Sequence, residues 1–268
     1  MSLHSFIRDG TTLRYRDRGS GPPVIFQHGL GGDEAQVAGV FPDTPPVRRI
    51  TLECRGQGGS ETGPASALSI ASFADDILAL AEDLDLACPI VGGISMGAAI
   101  ALRLAVRHPR RFRALVIARP AWVSAPFPDN MRPYAEVGEL LERYPAVEAR
   151  KRFEATATAA LLAREAPDNL ASLLGFFGRP DGRAFGQLLA TIAADGPGVS
   201  IDEISQLRLP TLVLGHAADL AHPLAYAKRL ASLIPDAKLV EVTPKAVDRP
   251  AFEASFRSAL SDFFGSLS

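Results

Sequence analysis

No histidine follows His222 in this chain, so the segment VEVTPKAVDRPAF, Val240–Phe252, has no imidazole to offer as a base. Cysteine is nearly absent as well: Cys54 and Cys88 form no CxxC pattern, which argues against a disulfide scaffold or a cysteine-rich metal site. Cys88 reads as a small residue opening a buried strand, and Cys54, beside a glycine-rich stretch, as a candidate pocket liner. No apolar run approaches the roughly 20 residues that span a bilayer. The opening MSLHSFIRDG lacks the apolar segment of a secretory signal, so a cytoplasmic location and no membrane partner are expected. With 28 basic and 30 acidic residues interspersed, the formal net charge of −2 leaves no nucleic-acid footprint and no polyanionic tail. Nothing calls for a metal or an organic cofactor.

What is present is enough apolar material for a sizeable core: 268 residues, 47% hydrophobic and 22% charged. SFIRDG and TLRYRDRG read as an antiparallel opening hairpin, followed by buried strands PVIFQHG and RRITLEC. SIASFADDILALAEDL places Ile70, Phe73, Ile77, Leu80, Ala81 and Leu84 at helical spacing. PIVGGIS is a further buried strand running directly into the small-residue helix MGAAIALRLAVRHP, and the strand RALVIARP follows. This alternation predicts parallel βαβ units covered on both faces. The strand TLVLG, helix YAKRLASLI, strand AKLVEV and closing helix RPAFEASFRSALSDFF resume it near the end.

Between those two blocks the pattern changes to helical segments and prolines without a convincing buried strand. PYAEVGELLERY, EARKRFEATATAALLAREAP, DNLASLLGFF and RAFGQLLATIAAD are the helix candidates. The chain therefore divides into a core of residues 1–120 and 208–268 and a helical cap insertion, 121–207, within one domain.

Gly93-Ile94-Ser95-Met96-Gly97 matches G-x-S-x-G between a predicted buried strand and a helix. A turn that tight requires small flanking residues and lifts the serine hydroxyl above the sheet. The Met96 amide at the helix start then faces any oxyanion forming there. Gln27-His28-Gly29-Leu30-Gly31-Gly32, directly after an apolar strand, offers Leu30 as the second oxyanion donor. His28 reads as structural, because it sits at the strand end before that loop.

With these motifs the sequence resembles the α/β-hydrolase superfamily over essentially its full length. The resemblance rests on QHGLGG, ECRGQGGS, GGISMG, the helical stretch after the sixth strand and TLVLGHAAD. It implies an eight-stranded, mostly parallel α/β sheet with helices on both faces. It also implies a nucleophile, acid and histidine in chain order, with Ser95 first and Asp219 as the acid. Glu53 and Gln57 stand where members carry Asp and His types, in a segment that shapes a loop. The histidine's place after VEV falls near Val247, with Lys245 and Asp248 as neighbours.

A serine hydroxyl needs a base to take its proton during attack. His222, three residues past Asp219 on a loop at the strands' carboxyl ends, is the first candidate. Lys245 could act only if burial lowered its pKa. His216 reads as structural. Arg119 interrupts the end of an apolar strand, and could grip a substrate carboxylate, pair with an internal acid or hold the cap. Arg55 has a similar claim, and Trp122, Phe127, Tyr134, Phe176 and Phe177 could line an apolar pocket.

The expectation is a hydrolase for a small ester, lactone or related acyl substrate, with Ser95, Asp219 and His222 catalytic. Leu30 and Met96 would form the oxyanion hole, and Arg119, Trp122 and Arg55 would contact substrate. Two alternatives stand beside it: a non-catalytic binder of a small ligand, and a lyase or decarboxylase that uses the oxyanion hole alone. The natural substrate and the oligomeric state stay open.

Overall fold

The structure is a computed structural model and describes residues 3–267. Strands β1 (Leu3–Arg8) and β2 (Thr11–Arg18) form the antiparallel hairpin, followed by β3 (Pro23–Gln27), α1 (Glu34–Ala38), β4 (Arg48–Leu52), α2 (Ile70–Asp83), β5 (Ile90–Ile94), α3 (Met96–Arg107) and β6 (Ala114–Ala118). Helices α4 (Arg132–Arg143), α5 (Ala146–Glu154), α6 (Ala157–Glu165), α7 (Pro167–Phe176), α8 (Gly182–Ala194) and α9 (Ile201–Ser205) intervene before β7 (Thr211–Gly215). Helix α10 (Leu224–Leu233), β8 (Lys238–Glu241) and α11 (Arg249–Ser266) close the chain. The eight strands form one sheet in the order β1-β2-β4-β3-β5-β6-β7-β8. All pairings from β4 to β8 are parallel, and only those of β2 are antiparallel.

The apolar runs of the central strands divide between two cores at period two, because successive side chains point to opposite faces. Phe26, Ile90, Val116 and Leu214 face one core, with Val37 of α1 and Phe256, Leu260 and Phe263 of α11. Ile25, Val91, Ile117 and Val213 face the other, which α2 and α3 cover and which extends into α4–α9. Helix α2 starts where the Ser69 hydroxyl accepts from the Ser72 amide, and it buries Ile70, Phe73, Ile77 and Leu80.

Two local readings need correction. EARKRFEATATAALLAREAP is two helices, since Thr156 is extended (φ −84°, ψ 157°) and its hydroxyl accepts from the Ala159 amide as a new N-cap. Cys88 does not open a buried strand: it is exposed, at φ +44°, in the turn before β5. The short helices α1 and α9 were not visible as periodic patterns because each has five residues. Both are set by their caps, Asp33 accepting from Ala35 and Gln36, and a reciprocal Ser200–Glu203 capping box.

Candidate active site

Ser95 stands between β5 and α3 at φ +57°, ψ −112°, a conformation that costs a non-glycine residue on the order of 1–3 kcal/mol. The close approach around it explains the glycines. A Cβ on Gly93 would lie 2.5 Å from the Gly97 carbonyl carbon, and one on Gly97 would lie 2.5 Å from the Gln27 oxygen. The Ser95 amide donates to the Ala118 oxygen at 2.9 Å, which ties the turn to β6. Arg119 (φ +46°) and Ala218 (φ +57°) are also left-handed, so strained backbone gathers at the carboxyl ends of β5, β6 and β7.

The glycine loop after β3 is held on both sides of Leu30. The Gly29 amide donates to Gln36 Oε1 and the Gly31 amide to Gln57 Oε1, each at 2.7 Å. Neither the Leu30 nor the Met96 amide has a hydrogen-bond partner among the described residues. Leu30 lines one cavity with Ser95, and Met96 follows Ser95 at the first position of α3, so both amides lie close to the serine in the fold. The ECRGQGGS segment supports this loop: Gln57 holds Gly31, and Glu53 accepts from the Gly59 amide at 2.6 Å. His28 is fully buried, with Nδ1 donating to the Gly29 oxygen (2.8 Å) and Nε2 accepting from the Cys54 amide (3.0 Å). Cys54 is a core residue and not a pocket liner: it is buried, and its thiol pKa is pushed up, first by burial and then by Asp76 and Glu53.

The acid loop after β7 is built around Asp219, whose side chain is 1% exposed. It accepts from Arg119 Nε (3.0 Å) and Nη2 (2.7 Å), from Asn169 Nδ2 (3.0 Å) and from the His222 amide (3.1 Å). Both its oxygens also lie 3.0 Å from His222 Nδ1. Burial pushes the carboxyl pKa upward, but His222 and Arg119 outweigh it and hold Asp219 well below the usual carboxylate range. An ionised carboxylate only accepts, so Nδ1 of His222 must carry the proton. Arg119 Nη2, 3.2 Å from that nitrogen, is then a neighbouring charge and not a hydrogen-bond donor to it. Burial lowers the His222 pKa; Asp219 opposes this, and Arg119 and Lys245 add to it. The imidazole is therefore neutral near pH 7, with its Nε2 lone pair unpartnered.

Ser95 and His222 line one cavity of about 260 Å³. The glycine loop, Arg119 and Lys245 complete its core side, and Tyr134 of α4 with Asn169, Ser172 and Phe176 of α7 cover it. No hydrogen bond joins Ser95 to His222. Lys245 reaches the same cavity but is paired to Asp168 of α7 at 2.9 Å. His216 donates from Nδ1 to the Ala217 oxygen at 2.7 Å and keeps its other nitrogen buried and unpaired, 3.5 Å from Asp219. Among the described residues, no group of three His, Cys, Asp or Glu is arranged to hold a metal. No helix there is long and apolar enough to cross a membrane.

Of the three expected substrate contacts, only Arg119 lies on the cavity, and its guanidinium is engaged by the internal acid. Arg55 is not a substrate contact. It forms a two-pronged pair with Asp76, 2.7 Å at each end, with both side chains under 5% exposed. Replacing Asp76 with alanine strands that guanidinium, and a loss of about 3–5 kcal/mol in urea unfolding is expected. A loss below about 1 kcal/mol would mean that Arg55 finds water or another acceptor. Trp122 is also displaced from its expected role. It is fully buried, with Nε1 donating to the oxygen of Asp195, the C-cap of α8, at 2.9 Å. Phe177 is core and Phe127 is exposed, whereas Tyr134 and Phe176 reach the cavity. Asn169 is the residue the sequence did not signal. Its amide bridges α7 to Asp219 and to the Leu220 and Ala221 amides, a contact across elements that no local pattern encodes.

Comparison with known proteins agrees with this architecture. The chain is 27% identical to the AB hydrolase superfamily protein YisY of Bacillus subtilis, covering 85% of this chain and 86% of that one. It is likewise 27% identical to the pimeloyl-[acyl-carrier protein] methyl ester esterase of Aromatoleum aromaticum, covering 81% and 88%. Among solved structures, the enol-lactonase of Burkholderia xenovorans LB400 superposes with a TM-score of 0.72 at 26% identity, covering 98% of this chain and all of that one. The alpha/beta hydrolase fold family model matches residues 22–246, and with the elbow, glycine loop and sheet order in place, the chain belongs to that family of hydrolases.

Proposed function

We propose that this protein hydrolyses a small ester or lactone through Ser95, with His222 as a relocated base and Asp219 as its acid. The observation that carries this reading is the Asp219–His222 couple. Ionised Asp219 fixes the proton on Nδ1, so Nε2 presents its lone pair on the cavity that also holds Ser95. In attack, the Ser95 oxygen bonds to the acyl carbon while its proton passes to Nε2. The Leu30 and Met96 amides stabilise the oxyanion, and collapse expels the alkoxide, which takes the proton back from the imidazolium. Water then repeats the sequence on the acyl-enzyme and releases the acid. The serine and the imidazole close on each other when substrate fills the cavity, as catalytic hydrogen bonds commonly do.

A fluorophosphonate probe together with short p-nitrophenyl esters tests this. Labelling at Ser95 and ester turnover are expected, both lost in Ser95→Ala. The missing Ser95–His222 hydrogen bond favours one rival, a ligand binder on the same cavity. An unlabelled Ser95 with no turnover, in a protein that still binds small carboxylic esters, would establish the rival instead.

A further inference from the structure

A second hollow of about 380 Å³ adjoins the cavity of Ser95, and Gln36, Ile94, Arg119 and Lys245 line both. It lies between α1 and α11. Its floor is apolar, from buried Phe252 and Phe256 with Ile94, and Ala35 stands exposed on the α1 side. Three cations line it, Arg119, Lys245 and Arg249, against one acid, Glu253. The acids paired with Arg119 and Lys245 are Asp219 and Asp168, and neither belongs to this lining. Donor capacity remains. Among the described residues, Arg119 spends Nε and Nη2 on Asp219 and leaves Nη1 without a hydrogen bond, while Arg249 uses only Nε, 3.3 Å from Glu253.

An apolar floor under unengaged guanidinium N–H groups suits a flat or linear body ending in an anion. Each lining cation already has an acid beside it, Asp219, Asp168 or Glu253, so the wall offers donors with little surplus charge, which suits a monoanionic carboxylate better than a dianionic phosphate. We propose that this hollow is a subsite for a carboxylate-ended arm of the substrate, so the ester or lactone cleaved at Ser95 is an anionic one. The proposal rests on the reading of Ser95 as nucleophile. Part of the substrate then lies between α1 and α11, on the wall where Lys245 stands and no histidine does.

Two matched substrate pairs test it. 4-Acetoxybenzoate and its methyl ester carry or mask a carboxylate on the leaving arm. Monophenyl glutarate and phenyl methyl glutarate do the same on the acyl arm. At low salt, the charged member of one pair is expected to have a KM roughly three- to tenfold lower, with kcat little changed, and the advantage should shrink as salt rises. Arg249→Met should erase the preference while leaving the neutral esters unaffected, and Ala35→Trp, which fills the hollow from an exposed position, should erase the preference too. Equal KM values within both pairs, or a preference that survives Arg249→Met, would overturn the proposal. If no ester is turned over, the hydrolase reading falls by itself. The subsite is then decided by calorimetric titration with 4-hydroxybenzoate and monophenyl glutarate: binding weakened by Arg249→Met upholds it, and no binding overturns it.

Discussion

His222→Ala is expected to lower kcat for a short ester by on the order of 10⁴–10⁶, the scale on which catalytic units lose rate when their base is removed. The oxyanion donors and the cavity would remain, so KM should change little. The pH profile separates a base from a merely structural histidine. In the parent protein the His222 pKa lies below its ordinary value, chiefly through burial, with Arg119 adding to it. A base works only when neutral, so the acidic limb of kcat/KM should fall below about pH 6.5, the ordinary histidine midpoint. In His222→Ala that limb should vanish, leaving a slow rate that climbs with hydroxide. A loss of less than about tenfold, with the limb intact, would remove His222 from the mechanism and turn attention to Lys245.

Asp219→Asn should be nearly as damaging, by a different route. An amide can donate to Nδ1, which forces the proton onto Nε2 and points an N–H at the serine. The wrong tautomer costs about 10⁴ in kcat where a triad acid is neutralised in this way. Stability should fall too, by roughly 3 kcal/mol at pH 7, because Arg119, with 11% of its side chain exposed, loses its counter-ion. The sign of the pH dependence follows from linkage. The folded Asp219 pKa is depressed, so its contribution is complete above the unfolded value near 4 and is lost as pH falls through the lower folded value. Urea midpoints of parent and variant should therefore converge below about pH 4. A constant gap across that range would assign the loss to packing instead of charge.

The parts that could be read along the chain are those whose cause is local. The β5 elbow was legible because the close approach at Gly93 and Gly97 excludes any side chain, so the composition of the turn reports its geometry. The helix after Ser69 was legible through its period. The fates of Arg55 and Trp122 were not, and for Arg119 pairing with an internal acid was one of three open readings. Each is a long side chain whose partner, Asp76, the Asp195 carbonyl or Asp219, sits on another element, and nothing in the arginine's or tryptophan's own neighbourhood names it.

The same division runs through the candidate site. By itself the sequence determined the alternating sheet, the serine at the end of β5, the glycine loop after β3 and the lack of an imidazole after β8, since each follows from residue type and spacing. Only the tertiary structure decided which imidazole shares a cavity with Ser95. Ala218 at φ +57° helps turn the loop after β7, Asn169 pins it from α7, and Arg119 clamps its carboxylate from β6. The loop that carries the acid therefore also delivers a neutral His222 to the cavity. That outcome depends on charges and hydrogen bonds converging from separate elements, and such convergence exists only once the chain has folded.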